Sequence, residues 1–410
     1  LKDGDDLVDL LKEHNLYNSS FDKEDSIKIA EIHNKIIPSL SFDKISHSIQ
    51  KASFYLANIK NYFGQNINSH IERRETKNII DWLKVDITYP QKNILILEGE
   101  KGYGKSVILK DLYDNIINDG FHALCIKADK YYALTPKELE NKLFLDEDIT
   151  FTNIIKAFSE ANKKLVVIID QLDALSQSLS SNREYIQTYN RIITELSEEK
   201  NIRVIISSRS FDLEYDAELS IYKTNEYNNV KVSLLTIEEV NKTLSHFSIR
   251  TESDKFIELL RTPNHLEIYC KLPNKNIVNI DTLSSMKDLY DALWKDLVSS
   301  KVEFSLKKLL YTMADEMYKN QEIIAKNNFE DNFYNELLYL KSNKLIVEEN
   351  NELQFFHQTF YDYCFSRQFV ENGGILEEFL KENEQSCIKN CFSKDELCKC
   401  CANSKNKNRN

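Results

Sequence analysis

A glycine-rich stretch, NILILEGEKGYGKSVIL at residues 93–109, constrains this chain more than any other feature. The chain has only 8 glycines among its 410 residues, yet Gly99, Gly102 and Gly104 fall within six positions. Glycine is used where the backbone takes a positive φ or approaches another group closely. An apolar run precedes these glycines, and a helix-forming run follows them. The stretch therefore predicts a tight loop between a strand and a helix, with a ligand against the loop.

The residue types of this loop indicate the ligand. Residues 99–106 read GEKGYGKS and match the pattern G-x-x-x-x-G-K-[ST] at every fixed position. In such loops backbone N–H groups surround phosphate oxygens, and the helix that follows presents its positive end. Lys105 would bring its charge to the β- and γ-phosphates, and Ser106 would offer a hydroxyl to Mg²⁺. We therefore predict that the chain binds ATP or ADP with Mg²⁺. The predicted nucleotide-binding residues of the loop are Gly99, Glu100, Lys101, Gly102, Tyr103, Gly104, Lys105, Ser106 and Val107.

Two later segments end in polar residues that suit nucleotide hydrolysis. LVVIIDQLDAL, residues 165–175, has the pattern of a buried strand that ends in carboxylates. Asp170 is predicted to hold Mg²⁺ together with Ser106, and Asp173 to position or activate water. Arg209 ends the next apolar strand and is predicted to sense the γ-phosphate, because ligands lie at the carboxyl ends of strands in open α/β sheets. The alternatives are a solvated acidic turn for the two carboxylates and an ordinary surface position for Arg209.

Apolar strands alternate with helical segments from about residue 73 to residue 235. The strand segments are NILILE, HALCIK, KKLVVIID, NIRVIISS and VKVSLL. Continuous apolar strands separated by helices indicate a parallel sheet that is covered on both faces. We therefore predict the α/β fold class, with a P-loop NTPase domain over residues 73–235.

The remainder of the chain is mostly helical in pattern. Thr236 and Glu239 have the spacing of a capping box, and residues 236–303 are predicted to form a helical domain. Over residues 304–375 the order is helix, helix, hairpin and helix, which predicts a winged-helix domain with its hairpin turn at residues 349–351. Residues 1–72 are predicted to be a helical N-terminal extension or linker.

Charge and hydropathy limit the partners and the location of the chain. The 65 acidic residues outnumber the 53 basic ones, which gives a formal charge of −12 and argues against bulk electrostatic binding to nucleic acid. No apolar run approaches the roughly 18 to 20 residues that a membrane span needs. The acidic start has no signal-peptide pattern and no initiator Met. We expect a cytoplasmic protein without membrane partners, either trimmed or a piece of a longer protein.

Five cysteines crowd the end of the chain, within residues 376–410. They are Cys387, Cys391, Cys398, Cys400 and Cys401. Zinc sites favour pairs of cysteines separated by two to four residues, and this spacing fits that pattern only loosely. We predict a disordered tail here, with a zinc site as the alternative.

Five segments together resemble a known class of proteins. They are LEGEKGYGKS, VVIIDQLDALS, VIISSRSFDLEYD, LRTPNHLEIYCKL and FFHQTFYDYCFSRQFV. The chain resembles the signal-transduction ATPases with numerous domains (the STAND class), on the NACHT-like side, and especially bacterial antiviral ATPases of that class. The resemblance covers residues 73 to about 370 and keeps the order of the family's motifs.

The resemblance implies roles for two further residues. Pro263 matches the proline that packs on the adenine base, with an ordinary helix-start proline as the alternative. His357 matches the winged-helix histidine that contacts the β-phosphate of ADP and locks the closed state. Its alternative is a core histidine that caps the final helix.

The chain also departs from that family. Ala174 follows the second carboxylate where many NACHT proteins have Glu, which implies slow hydrolysis and leaves the role to Asp173. Residues 1–72 are too short for most of the family's effectors. Nothing after residue 375 resembles its repeat sensors.

These features predict a nucleotide-dependent switch. The resemblance implies an ADP-bound closed form, an ATP-bound homo-oligomer, and a foreign (phage) protein as trigger. A second hypothesis is an AAA+-like remodelling ATPase with sustained turnover in a pre-formed ring. A third is a winged-helix DNA-binding regulator. The predicted recognition helix contains one Arg and no Lys, so contacts to nucleic acid look poor.

Overall fold

The computed structural model describes residues 41–86, 92–145, 149–176, 183–251, 253–272, 283–320, 322–349, 351–377 and 379. Most of the predicted N-terminal extension and the five terminal cysteines lie outside these residues. The three other cysteines, Cys125, Cys270 and Cys364, are buried free thiols. No helix among the described residues is long and apolar enough to cross a membrane.

Helices and strands alternate through the first part of the chain. The helices are α1 (Phe42–Ala52), α2 (Phe54–Ala57), α3 (Arg74–Lys84), α4 (Lys105–Asn118), α5 (Pro136–Phe144), α6 (Phe151–Glu160), α7 (Glu184–Ser197) and α8 (Ser210–Tyr215). The strands are β1 (Ile94–Glu98), β2 (His122–Lys127), β3 (Leu165–Asp170), β4 (Ile202–Ser208) and β5 (Asn228–Lys231).

Local sequence signals explain where several of these helices begin and end. The side chains of Thr135 and Thr150 accept hydrogen bonds from the first turns of α5 and α6. Gly120 follows α4 with a φ of +78°, and the Phe121 N–H donates to Ile116 O (3.0 Å). A glycine in this conformation closes a helix without the steric cost that a Cβ would bring.

The five strands form one parallel sheet in the order β2-β3-β4-β1-β5. Both of its faces are covered, so β1, β3 and β4 are buried along their whole length. Side chains of β1 alternate between two apolar clusters, with Ile94 and Ile96 in one and Leu95 and Leu97 in the other. The predicted α/β fold with a parallel sheet is confirmed.

The fifth strand ends earlier than the sequence predicted. VKVSLL, residues 230–235, was expected to lie in the sheet, but β5 ends at Lys231. Val232 N–H donates to Glu98 O (2.7 Å), and the chain then turns away to other partners. Ser233 bonds to Arg73 and Glu75 at the start of α3, and Leu235 N–H donates to Arg261 O (2.9 Å). These tertiary contacts override the strand propensity of the segment.

The second part of the chain is helical apart from a small antiparallel sheet. Its helices are α9 (Ile237–Ser245), α10 (Asp254–Leu260), α11 (Pro263–Lys271), α12 (Met286–Trp294), α13 (Leu306–Asn320), α14 (Glu330–Ser342) and α15 (Gln358–Glu371). Its strands are β6 (Ala325–Lys326), β7 (Ile346–Glu349) and β8 (Glu352–Phe355), in the order β6-β8-β7. One apolar cluster runs through this part from Leu235 to Phe365.

Two predictions about this part are confirmed. Thr236 and Glu239 form both hydrogen bonds of a capping box at the start of α9. β7 and β8 form the predicted hairpin, and Asn351 at its turn has a φ of +64°. Asparagine tolerates this left-handed conformation better than most residues, because its short side chain bonds locally to the backbone.

Candidate nucleotide-binding site

The glycine-rich loop lies between β1 and α4, at the carboxyl edge of the sheet. Gly102 and Gly104 have φ values of +83° and +87°, a conformation that residues with a Cβ rarely adopt. A Cβ at Gly102 would also stand 3.1 Å from Asn264 Cβ. Both glycines are therefore required by the loop, whose backbone leads directly into the N-terminus of α4.

Lys105 is the first residue of α4 and turns back over the loop. Its Nζ donates to Gly99 O (2.6 Å) and Glu100 O (3.3 Å). Burial lowers the pKa of this ammonium, and the nearby charge of Asp173 opposes that effect. A phosphate bound here would replace neutral carbonyl partners with an anionic one, which favours the charged form of Lys105.

Ser106 and Asp170 meet as the sequence predicted. Ser106 Oγ donates to Asp170 Oδ2 (2.8 Å), and Ser207 Oγ at the end of β4 donates to Asp170 Oδ1 (2.6 Å). Asp170 is fully buried; burial raises the pKa of its carboxyl, and the two hydroxyl donors oppose that shift. A nearby cation would therefore stabilise its charged form.

The donors at this position fit Mg²⁺. A hydroxyl and a carboxylate are hard oxygen ligands, and Mg²⁺ commonly binds through one or two carboxylates, substrate phosphates and water. The part of the chain that the structure describes has no cluster of three or more His, Cys, Asp or Glu residues that could hold a metal by themselves. Ser106 and Asp170 would hold the ion together with phosphate oxygens of the nucleotide.

Asp173 and Arg209 form an ion pair at the same edge of the sheet. Arg209 Nε lies 2.8 Å from Asp173 Oδ2, and only 15% and 3% of the two side chains are exposed. Asp173 Oδ1 is buried without a hydrogen-bond partner. Arg209 Nη2 donates further to Gln358 Oε1 of α15 (3.0 Å). The structure thus brings together Asp173 and Arg209, which the sequence predicts to position water and to sense the γ-phosphate. The bond to Gln358 links this pair to the final helix.

Pro263 lies against the loop at the start of α11. Its Cβ and Cγ stand 3.6 Å from the position that a Cβ on Gly104 would take. The next residue extends the contact, because Asn264 N–H donates to Gly102 O (3.1 Å). Pro263 is also the first helical residue, where proline costs the helix no hydrogen bond. Its predicted contact with adenine stays a prediction.

His357 is the N-cap residue of α15. Its Nδ1 accepts the Thr359 N–H (3.1 Å) and lies 2.7 Å from Thr359 Oγ1. Because Nδ1 accepts, the proton of the neutral ring is on Nε2. The capping contact offered above as the alternative is thus present, and Nε2 keeps a hydrogen that a phosphate oxygen could accept. The predicted contact with the β-phosphate stays a prediction.

The surroundings of His357 keep its ring neutral. Burial lowers its pKa to about 3, and the charges of Lys101, Lys271 and Arg209 add to the effect. The unfolded chain binds a proton near pH 6.5, whereas the folded chain does so only near pH 3. The stability that depends on neutral His357 is therefore present above pH 6.5 and is lost as the pH falls from there towards 3.

We expect this linkage to be measurable. Between pH 7.5 and 5.5 the wild-type chain should lose about 1.4 kcal/mol of unfolding free energy through His357. The variant His357→Asn keeps an oxygen that can cap α15 but has no titrating ring. Denaturant unfolding at the two pH values should give a smaller pH-dependent loss for the variant. Equal losses for both proteins would show that the fold does not keep His357 neutral.

Two contacts of the loop had not been predicted. Lys101 forms an ion pair with Asp362, one turn beyond Gln358 in α15. Arg73, the residue before α3, donates to Tyr103 O (3.4 Å) and Ser233 O (2.6 Å) and is buried. The sequence placed Lys101 among the nucleotide-binding residues of the loop and gave no sign of a contact with α15. No local pattern marks Asp362 or Arg73, because their partners are far away in sequence or are backbone carbonyls.

Comparison with known sequences supports the assignment of the loop to an ATPase domain. Residues 95–223 match the family described as "ATPase family associated with various cellular activities (AAA)". The matched segment includes the phosphate loop, Asp170, Asp173 and Arg209. No curated protein sequence matches the chain.

Solved structures that resemble the chain include a Walker-type ATPase, an ORC2 protein and a STAND protein. A Walker-type ATPase of Pyrococcus abyssi has 15% identity and a TM-score of 0.40, over 75% of this chain and 99% of that chain. The ORC2 protein of Aeropyrum pernix, solved as ADPNP and ADP complexes, has 13% identity and a TM-score of 0.40, over 77% and 98%. A STAND protein with a tetratricopeptide-repeat sensor from Pyrococcus horikoshii has 14% identity and a TM-score of 0.40, over 79% of this chain and 48% of that chain.

Similarities at this level carry no conclusion about function. The assignment of this segment to an ATPase domain rests on the family match and on the geometry of the loop. Residues 95–223 are accordingly similar to AAA ATPase domains, and they fold as the parallel α/β domain of a P-loop NTPase.

Proposed function

We propose that this chain is an ATP- and ADP-binding switch of the STAND type, held closed by its final helix. One observation carries the proposal: Lys101 of the phosphate loop forms an ion pair with Asp362 of α15, 261 positions away. Asn264 adds a second link, because its N–H bonds to the loop and its Nδ2 donates to Thr359 Oγ1 of α15 (3.1 Å). A nucleotide in the loop would therefore alter the surface on which α15 is docked.

The site has the parts that nucleotide hydrolysis needs. Lys105 would hold the β- and γ-phosphates, while Ser106 and Asp170 would hold Mg²⁺, which neutralises phosphate charge when it is bound. Asp173 is the proposed water-positioning residue, and Arg209 the γ-phosphate sensor. Ala174 stands where the resemblance would place Glu, so we propose slow turnover.

The remaining assignments extend this proposal along the chain. We assign residues 73–235 to the NTPase domain, residues 236–303 to the helical domain and residues 304–375 to a winged-helix domain. The order of helices and hairpin after residue 304 supports the last of these. Oligomerisation in the ATP state, a foreign trigger and an antiviral role are supported by the resemblance of the five sequence segments alone.

An AAA+-like remodelling ATPase is the second candidate, and the family match over residues 95–223 favours it. The two functions predict different oligomeric states and different behaviour towards the nucleotide. A switch should be purified as a monomer with tightly bound ADP, whereas a remodelling enzyme should form a ring with sustained turnover. Mass determination in solution, with chromatography of the extracted nucleotide, distinguishes them.

Recognition of DNA by the final helix has little support. The first half of α15 is turned inward, with Thr359, Phe360, Tyr361 and Asp362 buried. Its one arginine, Arg367, is paired with Asp291 and Glu371. A helix used in this way offers few groups to a DNA groove.

Substitutions at His357 test the closed state. His357→Ala removes both the cap of α15 and the Nε2 hydrogen, whereas His357→Asn removes only the latter. Loss of one hydrogen bond to a charged phosphate costs about 1.5 to 3 kcal/mol, so both variants should release ADP roughly 10- to 100-fold faster. Release of a fluorescent ADP analogue measures the rate, and light scattering measures the mass.

The comparison of these variants separates capping from phosphate binding. If only His357→Ala releases ADP faster, His357 acts as a helix cap and the proposed phosphate contact is wrong. If both variants keep the wild-type off-rate and remain monomeric, the switch proposal loses its central contact.

A further inference from the structure

The final helix reaches the nucleotide site through a single face. Gln358 and Asp362 are four residues apart in α15, so their side chains lie on the same side of the helix. Gln358 Oε1 accepts a hydrogen bond from Arg209 Nη2, and Asp362 pairs with Lys101. The two contacts join α15 to two separate parts of the site, the end of β4 and the phosphate loop.

Arg209 is shared between this helix and the proposed water-positioning carboxylate. Its Nε lies 2.8 Å from Asp173 Oδ2, while its Nη2 is 3.0 Å from Gln358 Oε1. A guanidinium is a rigid planar fork, so a partner that fixes one of its nitrogens also fixes the direction of the others. Gln358 therefore helps to set the direction in which Arg209 points.

The ion pair with Arg209 keeps Asp173 from positioning water for hydrolysis. One of its oxygens, Oδ2, is directed at Arg209 Nε. The other, Oδ1, is buried without a partner. While α15 is docked, Asp173 Oδ2 is thus engaged by a guanidinium that is also bonded to Gln358.

We propose that Gln358 is a positioning residue that holds Arg209 on Asp173 while α15 is docked, and that this contact restrains ATP hydrolysis. When α15 leaves the loop, Arg209 is free to turn to the γ-phosphate. Asp173 is then free to orient the water whose oxygen bonds to the γ-phosphorus while the bond from that phosphorus to the bridging oxygen of ADP breaks. The water gives up one proton to solvent, and ADP and phosphate are formed. The inference rests on the proposed function, since it presupposes hydrolysis at this site.

Two substitutions at one position test the proposal in opposite directions. Gln358→Ala removes the acceptor of Arg209 and should raise kcat for ATP about 10-fold, the effect of one hydrogen bond to a charged group. Gln358→Glu keeps an oxygen at that place and adds a charge that attracts Arg209, so it should lower kcat below the wild-type value. KM for ATP should change by less than about 2-fold in both, because Gln358 does not contact the nucleotide.

Two more variants serve as support and as control. Asp362→Asn keeps the shape of the side chain but removes the ion pair with Lys101, and it should raise kcat as Gln358→Ala does. Gln368→Ala lies on the same helix, where Gln368 Nε2 donates to Asp315 Oδ2 (2.8 Å), away from the loop. This variant should leave kcat unchanged. Melting temperatures of all four variants show whether each one is folded.

The outcomes are distinguishable. Opposite changes of kcat in the Ala and Glu variants at position 358 support the inference, because simple loss of packing would move both in one direction. Equal or absent changes overturn it, although the wild-type chain would still bind and hydrolyse ATP. A wild-type chain that neither binds nor hydrolyses ATP overturns both this inference and the proposed function.

Discussion

Replacing Lys105 with alanine should lower the affinity of the chain for ATP and ADP by about 100-fold or more. Lys105 Nζ already turns over the loop, where it has two carbonyl oxygens as neutral partners. A bound nucleotide would offer anionic oxygens instead, and each charge-assisted hydrogen bond contributes about 1.5 to 3 kcal/mol. Two such bonds account for at least about 3 kcal/mol, which is roughly 100-fold in affinity.

A second lysine of α4 provides the matched control. Lys110 Nζ pairs with Asp114 (2.6 Å), one turn further along the same helix. Lys110→Ala should leave the affinity within about 2-fold of wild type, because a pair of this kind contributes only about 0.3 to 0.5 kcal/mol. Isothermal titration calorimetry with ATP and ADP measures all three proteins. If Lys105→Ala binds ATP as tightly as wild type, residues 99–106 do not form the phosphate site.

Replacing Asp173 with asparagine should reduce ATP hydrolysis at least about 100-fold with little change in ATP affinity. Asparagine keeps the shape of the side chain but has no charge to orient or activate water, and such a group typically contributes about 10² to 10⁴ in rate. Ala174 leaves no neighbouring carboxylate to replace it. Release of phosphate in single-turnover experiments measures the hydrolysis step directly.

The other carboxylate of this segment should respond differently. Asp170→Asn should weaken the Mg²⁺-dependent part of ATP binding, because Asp170 lies 2.8 Å from Ser106 Oγ at the proposed ion position. ATP binding measured with Mg²⁺ and then with EDTA shows whether each substitution affects the metal-dependent part of binding, as expected for Asp170→Asn and not for Asp173→Asn. Normal hydrolysis by Asp173→Asn would require another water-positioning residue. Rapid steady-state turnover by the wild-type chain would favour the remodelling ATPase over the switch.

Much of the sheet could be predicted from sequence because its signals are local. LVVII and VII, residues 165–169 and 204–206, are apolar runs without alternation, a pattern typical of strands buried on both faces. The proximity of Ser106 and Asp170 could be predicted from the same pattern, because Asp170 ends β3 and Ser106 lies in the first turn of the helix that follows β1, both at the carboxyl edge of the sheet. Their hydrogen bond is the consequence of that topology.

The contacts across the site could not be predicted in the same way. Lys101 and Asp362 are separated by 261 positions, and neither lies in a pattern that points to the other. Gln358 is an uncharged residue at the start of a helix and gives no signal of its bond to Arg209. The early end of β5 was missed for a related reason, because backbone partners such as Arg261 O have no sequence signature.

The short connection after β5 limits how the helical part could move. Val232 is still bonded to the sheet and Leu235 is already bonded to Arg261, so two residues, Ser233 and Leu234, connect the sheet to the helices. Buried apolar side chains from Leu235 to Phe365 form one core, so an opening motion that preserves this core turns it as one body. Such a turn either breaks the bonds that join Ser233 to Arg73 and Glu75 or carries the start of α3 with it. The torsion angles of Ser233 and Leu234 would then set the direction of the whole movement.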